Sequence, residues 1–350
     1  MLDQYVGQKD SLAMLLMTLR AQKQTNRPLP HMLFLGQPGR GKSTLAKALA
    51  SELDCPFVIV HGPSIRDAHG GKEHETIADR IREAAGGILF IDEIHALSRT
   101  VAEDIYRAID EGQITVTEQA TETVLQPEYY PALSQADLPP ELWDEFALAG
   151  PGMYKAMVAT EVPSKAVVTK TINVGPVTII GATTDEAMLP PAFLSRLSAL
   201  VVRLRAYTAE EMANIAIAHA FGQLGTEITA EAAYEAAVRS RATPRRIKQI
   251  VERAAEWTTA TGGQQITVKD VLDTCAAMGI DRFGMEAPHR EMLGLLASAD
   301  KGLSRTSLAQ RMNLPPKNAD LYWGDLMELG FVTIATKHEI TDAGRAALNG

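Results

Sequence analysis

The segment Gly36-Gln-Pro-Gly-Arg-Gly41-Lys42-Ser43 constrains this chain more than any other feature. It fits the pattern GxxxxGK[ST] and lies between an apolar run, His31–Gly36, and a helical stretch, Ser43–Leu53. The glycines let backbone N–H groups turn inward around phosphate oxygens, and the following helix adds its positive N-terminal end. Lys42 is placed to reach the β- and γ-phosphates of ATP, and the Ser43 hydroxyl to ligate Mg²⁺. Gly36, Pro38, Gly39, Arg40, Gly41 and Thr44 complete the expected nucleotide-contacting turn.

Short apolar runs continue after this turn: Phe57–His61, Gly87–Asp92, Val177–Thr183 and Leu200–Leu204. Amphipathic stretches such as Ile77–Ala85 and Thr100–Glu111 separate them, the pattern of a parallel α/β sheet. From about Tyr207 to Arg282 the strand signals stop and alanine-rich helical periodicity takes over. The last residues change again, to three short helix candidates followed by FVTIAT and KHEIT, a predicted hairpin. At ~150 residues per domain, 350 residues hold two or three domains. The composition shifts divide them as 1–206, 207–283 and 284–350. Residues 118–170 stand apart, with six prolines, little periodicity and no predicted element, so they read as an insertion.

Composition excludes several classes. A hydrophobic content of 46% with 22% charged residues supports packed cores rather than disorder. Cys55 and Cys275 form no CxxC pair, so neither a disulfide framework nor a zinc site is expected, and each reads as a small buried hydrophobe. The start, MLDQYVGQ, lacks the charge and apolar pattern of a signal peptide. No apolar run approaches the ~20 residues that span a bilayer. The expectation is a cytoplasmic protein with no membrane partner. The formal charge is −9, which by itself argues against nucleic acid. Its distribution weakens that argument, because residues 118–170 hold eight acids and three bases, a net of −5. The insertion is thus better suited to a protein partner than to DNA.

A second constellation is Ile88-Leu-Phe-Ile-Asp92-Glu93-Ile94-His95. Two carboxylates emerge at the carboxyl end of a buried strand, where ligands bind in open α/β sheets. After a phosphate-binding loop this reads as a Walker B motif, with Asp92 holding Mg²⁺ and Glu93 polarising the water that attacks the γ-phosphate. His95 either couples the site to the next helix or is a capping or solvated residue.

A third is Ile180-Gly-Ala-Thr183-Thr184-Asp185, followed by Arg196 in FLSRLS. This arrangement resembles sensor 1 and the arginine finger of AAA+ ATPases. The resemblance implies that Thr184 lies near the γ-phosphate and that Arg196 reaches a neighbouring subunit's site, hence a homo-oligomer. In Ala242-Thr243-Pro244-Arg245-Arg246, Thr243 is the expected N-cap and Pro244 opens a helix. Arg245 there resembles sensor 2. Tyr5 and Val6, in Tyr5-Val6-Gly7-Gln8, resemble the segment that packs on adenine in these enzymes.

The order YVGQ, GQPGRGKS, ILFIDEIH, IIGATT, a lone arginine, TPRR and a winged-helix-like tail is similar to the RuvB family, bacterial AAA+ motors of Holliday-junction branch migration. That resemblance covers nearly the whole chain outside residues 118–170, which enlarge the hairpin the family carries between Walker B and sensor 1. It implies an α/β fold: an AAA+ P-loop domain with a parallel sheet and flanking helices, then a helical lid and a winged helix. It also implies an ATP- and Mg²⁺-dependent hexameric ring acting on double-stranded DNA and four-way junctions, with a RuvA-like junction-binding protein as partner. A clamp-loader-like or initiator-like switch on DNA, or a protein-remodelling ATPase, remains the alternative at this point.

Overall fold

Apolar runs bounded by glycine and proline become short buried strands, and the amphipathic stretches between them become helices. The computed structural model describes residues 5–25, 28–65, 76–132, 134–299, 302–334 and 338–349. In chain order the first elements are α1 (Lys9–Thr25), β1 (Met32–Leu35), α2 (Lys42–Leu53), β2 (Phe57–His61), α3 (Ile77–Glu83), β3 (Ile88–Asp92) and α4 (Arg99–Glu111). Then come β4 (Gln113–Ala132), α5 (Trp143–Ala149), β5 (Gly152–Asn173), β6 (Thr178–Thr183), α6 (Pro191–Leu197) and β7 (Leu200–Arg203). A helical stretch follows, with α7 (Ala209–His219), β8 (Glu227–Ile228), α8 (Ala230–Arg239), α9 (Pro244–Ala260), β9 (Gln265–Ile266) and α10 (Val268–Ala277). The remaining elements are α11 (Ala287–Ala297), α12 (Arg305–Arg311), α13 (Pro316–Glu328), β10 (Val332–Ile334), β11 (His338–Ile340) and α14 (Asp342–Asn349).

The chain divides into two compact units. The first comprises Met1–Asp54, Ile180–Leu189 and Leu197–Gly350. Within it β1 lies parallel to β6 on one side and to β7 on the other, with Leu33 opposite Gly181 and Val201. All four residues of β1 are buried, as expected of a parallel strand covered on both faces. Helix α1 turns Leu12, Leu15 and Leu19 inward on a single stripe.

Helices α7 to α10 share a core from Tyr207 to Ile280 in which Ala216, Ala232, Ala233, Ala236 and Ala254 are fully buried. Such small side chains let the helix backbones approach closely, and Ile247, Ile250 and Val251 of α9 fill what remains. Thr208 and Thr267 open α7 and α10 with capping boxes closed by Glu211 and Asp270. A separate core from Met285 to Ala347 gathers α11 to α14 around Leu293, Leu296, Trp323 and Leu326. Strands β10 and β11 pair antiparallel, Val332 opposite Ile340, giving the predicted hairpin of a winged helix. The turn of that wing, residues 335–337, lies outside the described residues.

The second unit comprises Cys55–Ile179 and Pro190–Arg196. Here β2 runs parallel to β3, in register from Phe57 opposite Ile88 to His61 opposite Asp92. Helix α4 is capped by the Ser98 hydroxyl and buries Val101, Ala102, Ile105 and Ala108. Residues 118–170 correct the expectation of a segment without elements. They form most of an antiparallel ribbon, β4 against β5, that runs from Gln113 opposite Asn173 to Ala132 opposite Gly152 and carries α5 at its far end. The register slips between Gln119 and Thr121. A two-stranded ribbon has two open edges, so Pro127, Pro131 and Pro163 fit without breaking a central ladder. At its base Ile114 and Val116 are buried.

Cys275 is buried as expected, whereas Cys55 is only half-buried. No helix among the described residues is long and apolar enough to cross a membrane. The alanine-lined core yields a stability test. Ala236→Leu should cost about 1–3 kcal/mol by overpacking, measured by urea unfolding. Tyr234→Ala on the exposed face of the same helix should stay within ~0.5 kcal/mol.

Candidate nucleotide-binding site

The turn between β1 and α2 is built by backbone conformations that ordinary side chains resist. Gly41 precedes α2 with a φ of 87°, in the left-handed region. A Cβ there would stand 2.8 Å from Tyr5 Oη and 3.2 Å from Tyr207 Oη. Glycine is therefore required twice over, by conformation and by packing. Tyr5 Oη donates toward the Gly41 carbonyl at 3.4 Å, Tyr207 Oη toward the Arg40 carbonyl at 3.3 Å, and the two hydroxyls are 3.0 Å apart. Burial raises the pKa of both phenols above the ordinary tyrosine value, so they act as neutral hydroxyls. Tyr5, expected against adenine, thus has its hydroxyl on the backbone of the turn itself, and Val6 beside it is half-buried. Gln8 is fully buried, its side-chain amide donating to the Arg205 carbonyl at 2.7 Å and accepting the Arg205 N–H at 3.0 Å.

The Lys42 ammonium donates to the Gly36 carbonyl at 2.6 Å and the Gln37 carbonyl at 3.2 Å, which centres it over the turn. Ser43 and Thr44 are exposed in the first turn of α2. An ammonium, a helix N-terminus and glycines with φ of 78° and 87° at Gly39 and Gly41 form a donor set suited to a polyphosphate. Thr183, at the end of β6, accepts the Gly36 N–H on its carbonyl at 3.3 Å. Its buried hydroxyl donates to the Asp185 carbonyl and accepts the Asp185 N–H, both at 3.1 Å. That leaves half-buried Thr184 as the next side chain beyond the strand, at the edge of the turn.

Arg40 is nearly buried. Its guanidinium donates to the Ala242 carbonyl at 2.8 Å and to both Glu328 carboxylate oxygens at 3.2 and 3.4 Å. The accepting carbonyl belongs to an unusual turn, since Arg241 and Ala242 both have left-handed φ, 52° and 50°. Arg241 pairs with Asp325, which also accepts from His289 Nε2 at 3.0 Å. Burial opposes the Asp325 charge, but His289 and Arg241 outweigh it and hold this carboxyl below its usual pKa. Thr243 takes the expected N-cap position of α9 with Pro244 in the first turn, but its hydroxyl donates back to the Arg241 carbonyl at 3.1 Å and makes no capping bond. In the first turn of α9, Arg246 is tied to Glu286 at 2.6 Å and to the Gly284 carbonyl at 3.1 Å, whereas Arg245 is exposed.

In the second unit, Asp92 closes β3 and its Oδ1 accepts the Glu93 N–H at 3.1 Å. Glu93 has a φ of 51°, a left-handed conformation that costs a non-glycine residue about 1–2 kcal/mol. Gly62 permits this turn, because a Cβ on it would lie 2.5 Å from the Glu93 carbonyl. The half-exposed Glu93 carboxylate is 3.9 Å from His61 Nε2. His95 follows in a short 3₁₀ turn, Ile94–Ala96.

Arg196 lies on α6 and pairs with Asp110 of α4, Nε donating at 3.0 and 2.9 Å and Nη2 to Oδ2. Its Nη1 donates to the Ala192 carbonyl at 3.1 Å, and the Tyr106 ring lies 4.6 Å from its central carbon. Sequence reasoning missed Asp110, Tyr106, Tyr207 and Glu328. Only the first two carried a signal, an i, i+4 spacing on one helix face. Among the described residues no group of three or more His, Cys, Asp or Glu could hold a metal. The expected Mg²⁺ donors, the Ser43 hydroxyl and the Asp92 carboxylate, are hard oxygens of the kind that suit this ion together with phosphate.

Residues 1–125 match the family described as the Holliday junction DNA helicase RuvB P-loop domain. Residues 207–281 match the RuvB AAA lid domain. A "Holliday junction branch migration complex subunit RuvB" from Nitratiruptor sp. is 30% identical over 312 residues, covering 89% of this chain and 78% of that one. The protein of the same name from Fervidobacterium nodosum is 27% identical over 342 residues, covering 97% and 84%. Among solved structures, the Thermotoga maritima RuvB Holliday junction branch migration motor superposes with a TM-score of 0.73 at 25% identity, covering 99% of this chain and 96% of that one.

The packing around Gly41 makes a direct test. Gly41→Ala should weaken ATP binding at least ~10-fold, about 1.4 kcal/mol, in a fluorescent-nucleotide titration. Lys42→Ala should weaken it as well, through the lost ammonium rather than a displaced turn.

Proposed function

Because the chain belongs to the RuvB family, we propose that it is an ATP-hydrolysing DNA motor that drives branch migration of four-way junctions. The observation that carries this reading is the phosphate-binding turn at Gly36–Thr44, locked by Tyr5 and Tyr207, in a chain matching that family over both its P-loop and lid segments. Proteins named as RuvB subunits of the branch migration complex align along most of its length.

Each group then has a chemical task. The N–H groups of the turn and the Lys42 ammonium bind the β- and γ-phosphates and offset their charge. Ser43 and Asp92 would hold Mg²⁺, which supplies further neutralisation of the phosphate oxygens. Glu93 accepts the proton of the attacking water, from a backbone held in the strained left-handed region. Thr184 orients the water or the γ-phosphate, and Arg245, exposed at the start of α9, reads the nucleotide for the lid. Arg196 serves as arginine finger toward a neighbouring copy, which requires a homo-oligomer, read here as a hexameric ring in the cytoplasm.

Three working parts follow: an ATPase domain over 1–206, a lid over 207–283 and a winged helix over 284–350 that meets duplex DNA. The ribbon of β4 and β5, with its excess of acids, suits a protein partner better than DNA.

The test uses purified protein, ATP with Mg²⁺ and a synthetic four-way junction. Hydrolysis should be stimulated by DNA and the junction should be resolved into duplexes. Failure of both, with and without a junction-binding partner, overturns the reading. Glu93→Gln should retain ATP binding and lose at least ~10²-fold in kcat, the usual worth of a general base.

A further inference from the structure

The guanidinium of Arg196 is held on three sides within its own chain. Asp110 grips the Nε and Nη2 edge with both carboxylate oxygens. The Ala192 carbonyl takes one Nη1 hydrogen at 3.1 Å, and the Tyr106 ring covers one face at 4.6 Å. Tyr106 is itself fixed edge-on against buried Phe193 of α6, ring centres 4.8 Å apart. A guanidinium has five N–H donors in a rigid fork. These contacts use the Nε hydrogen, one on Nη2 and one on Nη1. One hydrogen on Nη1 and one on Nη2 remain with no partner among the described residues. The side chain is 27% exposed. Both terminal nitrogens thus keep a hydrogen with which to donate to phosphate oxygens.

We propose that Asp110 and Tyr106 are positioning residues for Arg196, holding its Nε–Nη2 edge and one face so that the remaining terminal hydrogens meet the nucleotide bound by a neighbouring copy of the chain. The proposal rests on Arg196 being the arginine finger. Its physical basis is preorganisation: a long side chain fixed before the reaction needs no ordering in the transition state. A partly exposed ion pair contributes little to folding, so the arrangement is poorly explained as a stabilising bridge.

The experiment compares Asp110→Ala, Asp110→Asn and Arg196→Ala in the full chain, with ATP, Mg²⁺ and a junction. Both Asp110 variants should assemble normally and keep the KM for ATP. Their kcat should fall by ~10-fold to ~10²-fold, the scale of a misplaced catalytic group, and less than the fall of about 10³-fold or more in Arg196→Ala. Mixing supplies a readout that a folding defect would not give. An excess of Lys42→Ala subunits cannot use their own site but still offer an intact Arg196 to the neighbour. They should restore the rate per Asp110→Ala subunit. A kcat within about two-fold of the unsubstituted protein, or a loss that mixing does not repair, overturns the positioning role if Arg196→Ala is impaired and repaired in the same assay. An Arg196→Ala protein of full activity overturns the finger assignment and the proposal with it.

Discussion

Arg40 carries a charge that is only 5% exposed inside the phosphate-binding turn, and the local architecture is arranged to match it. A charge so enclosed needs its hydrogen-bond partners in place, so each contact constrains the others. One partner is the Ala242 carbonyl, presented by two consecutive left-handed residues, and the other is Glu328 at the end of α13. Arg241, from the same turn, pairs with Asp325 one helical turn earlier on α13. The loop that holds phosphate, the start of α9 and the end of α13 are therefore fixed by one set of charges. A shift of the loop has to be accommodated by the helical segment or by the C-terminal core.

The carboxylate end of β3 follows a different logic. Glu93 adopts a backbone conformation that costs energy, and Gly62 leaves the space that makes it possible. Strain of this kind persists where the surrounding structure over-determines it, commonly at sites of chemistry. The excess negative charge lies elsewhere, more than half of it in residues 118–170. The rest of the chain is close to neutral overall, which leaves contact with a nucleic acid backbone compatible with a total of −9.

Much of this was legible in sequence. Parallel strands announce themselves as apolar runs, so β1, β2, β3, β6 and β7 fall within the runs read from the residues, although β2 leaves Ile59 exposed. The turn at Gly36–Ser43 was equally clear, because its glycines answer to local geometry. The ribbon was not legible. Its strands are rich in Thr, Glu and Gln and interrupted by proline, and each is satisfied only by a partner strand far along the chain. Thr243 shows the same division: its N-cap position follows from sequence, but its hydrogen bond follows from the left-handed turn before it.

The sequence by itself determined the chemistry available: a phosphate-binding turn, two carboxylates at a strand end, a threonine pair and a set of arginines, at spacings set by strand and helix geometry. Those features are local, and local backbone preferences encode them. Tertiary structure alone decided what each charge touches. It turned Arg40 to Glu328, Arg246 to Glu286 and Arg196 to Asp110, and it placed the hydroxyls of Tyr5 and Tyr207 on the loop. Identical side chains were assigned different work because pairing depends on distance in the folded chain, and position in the sequence does not carry that distance.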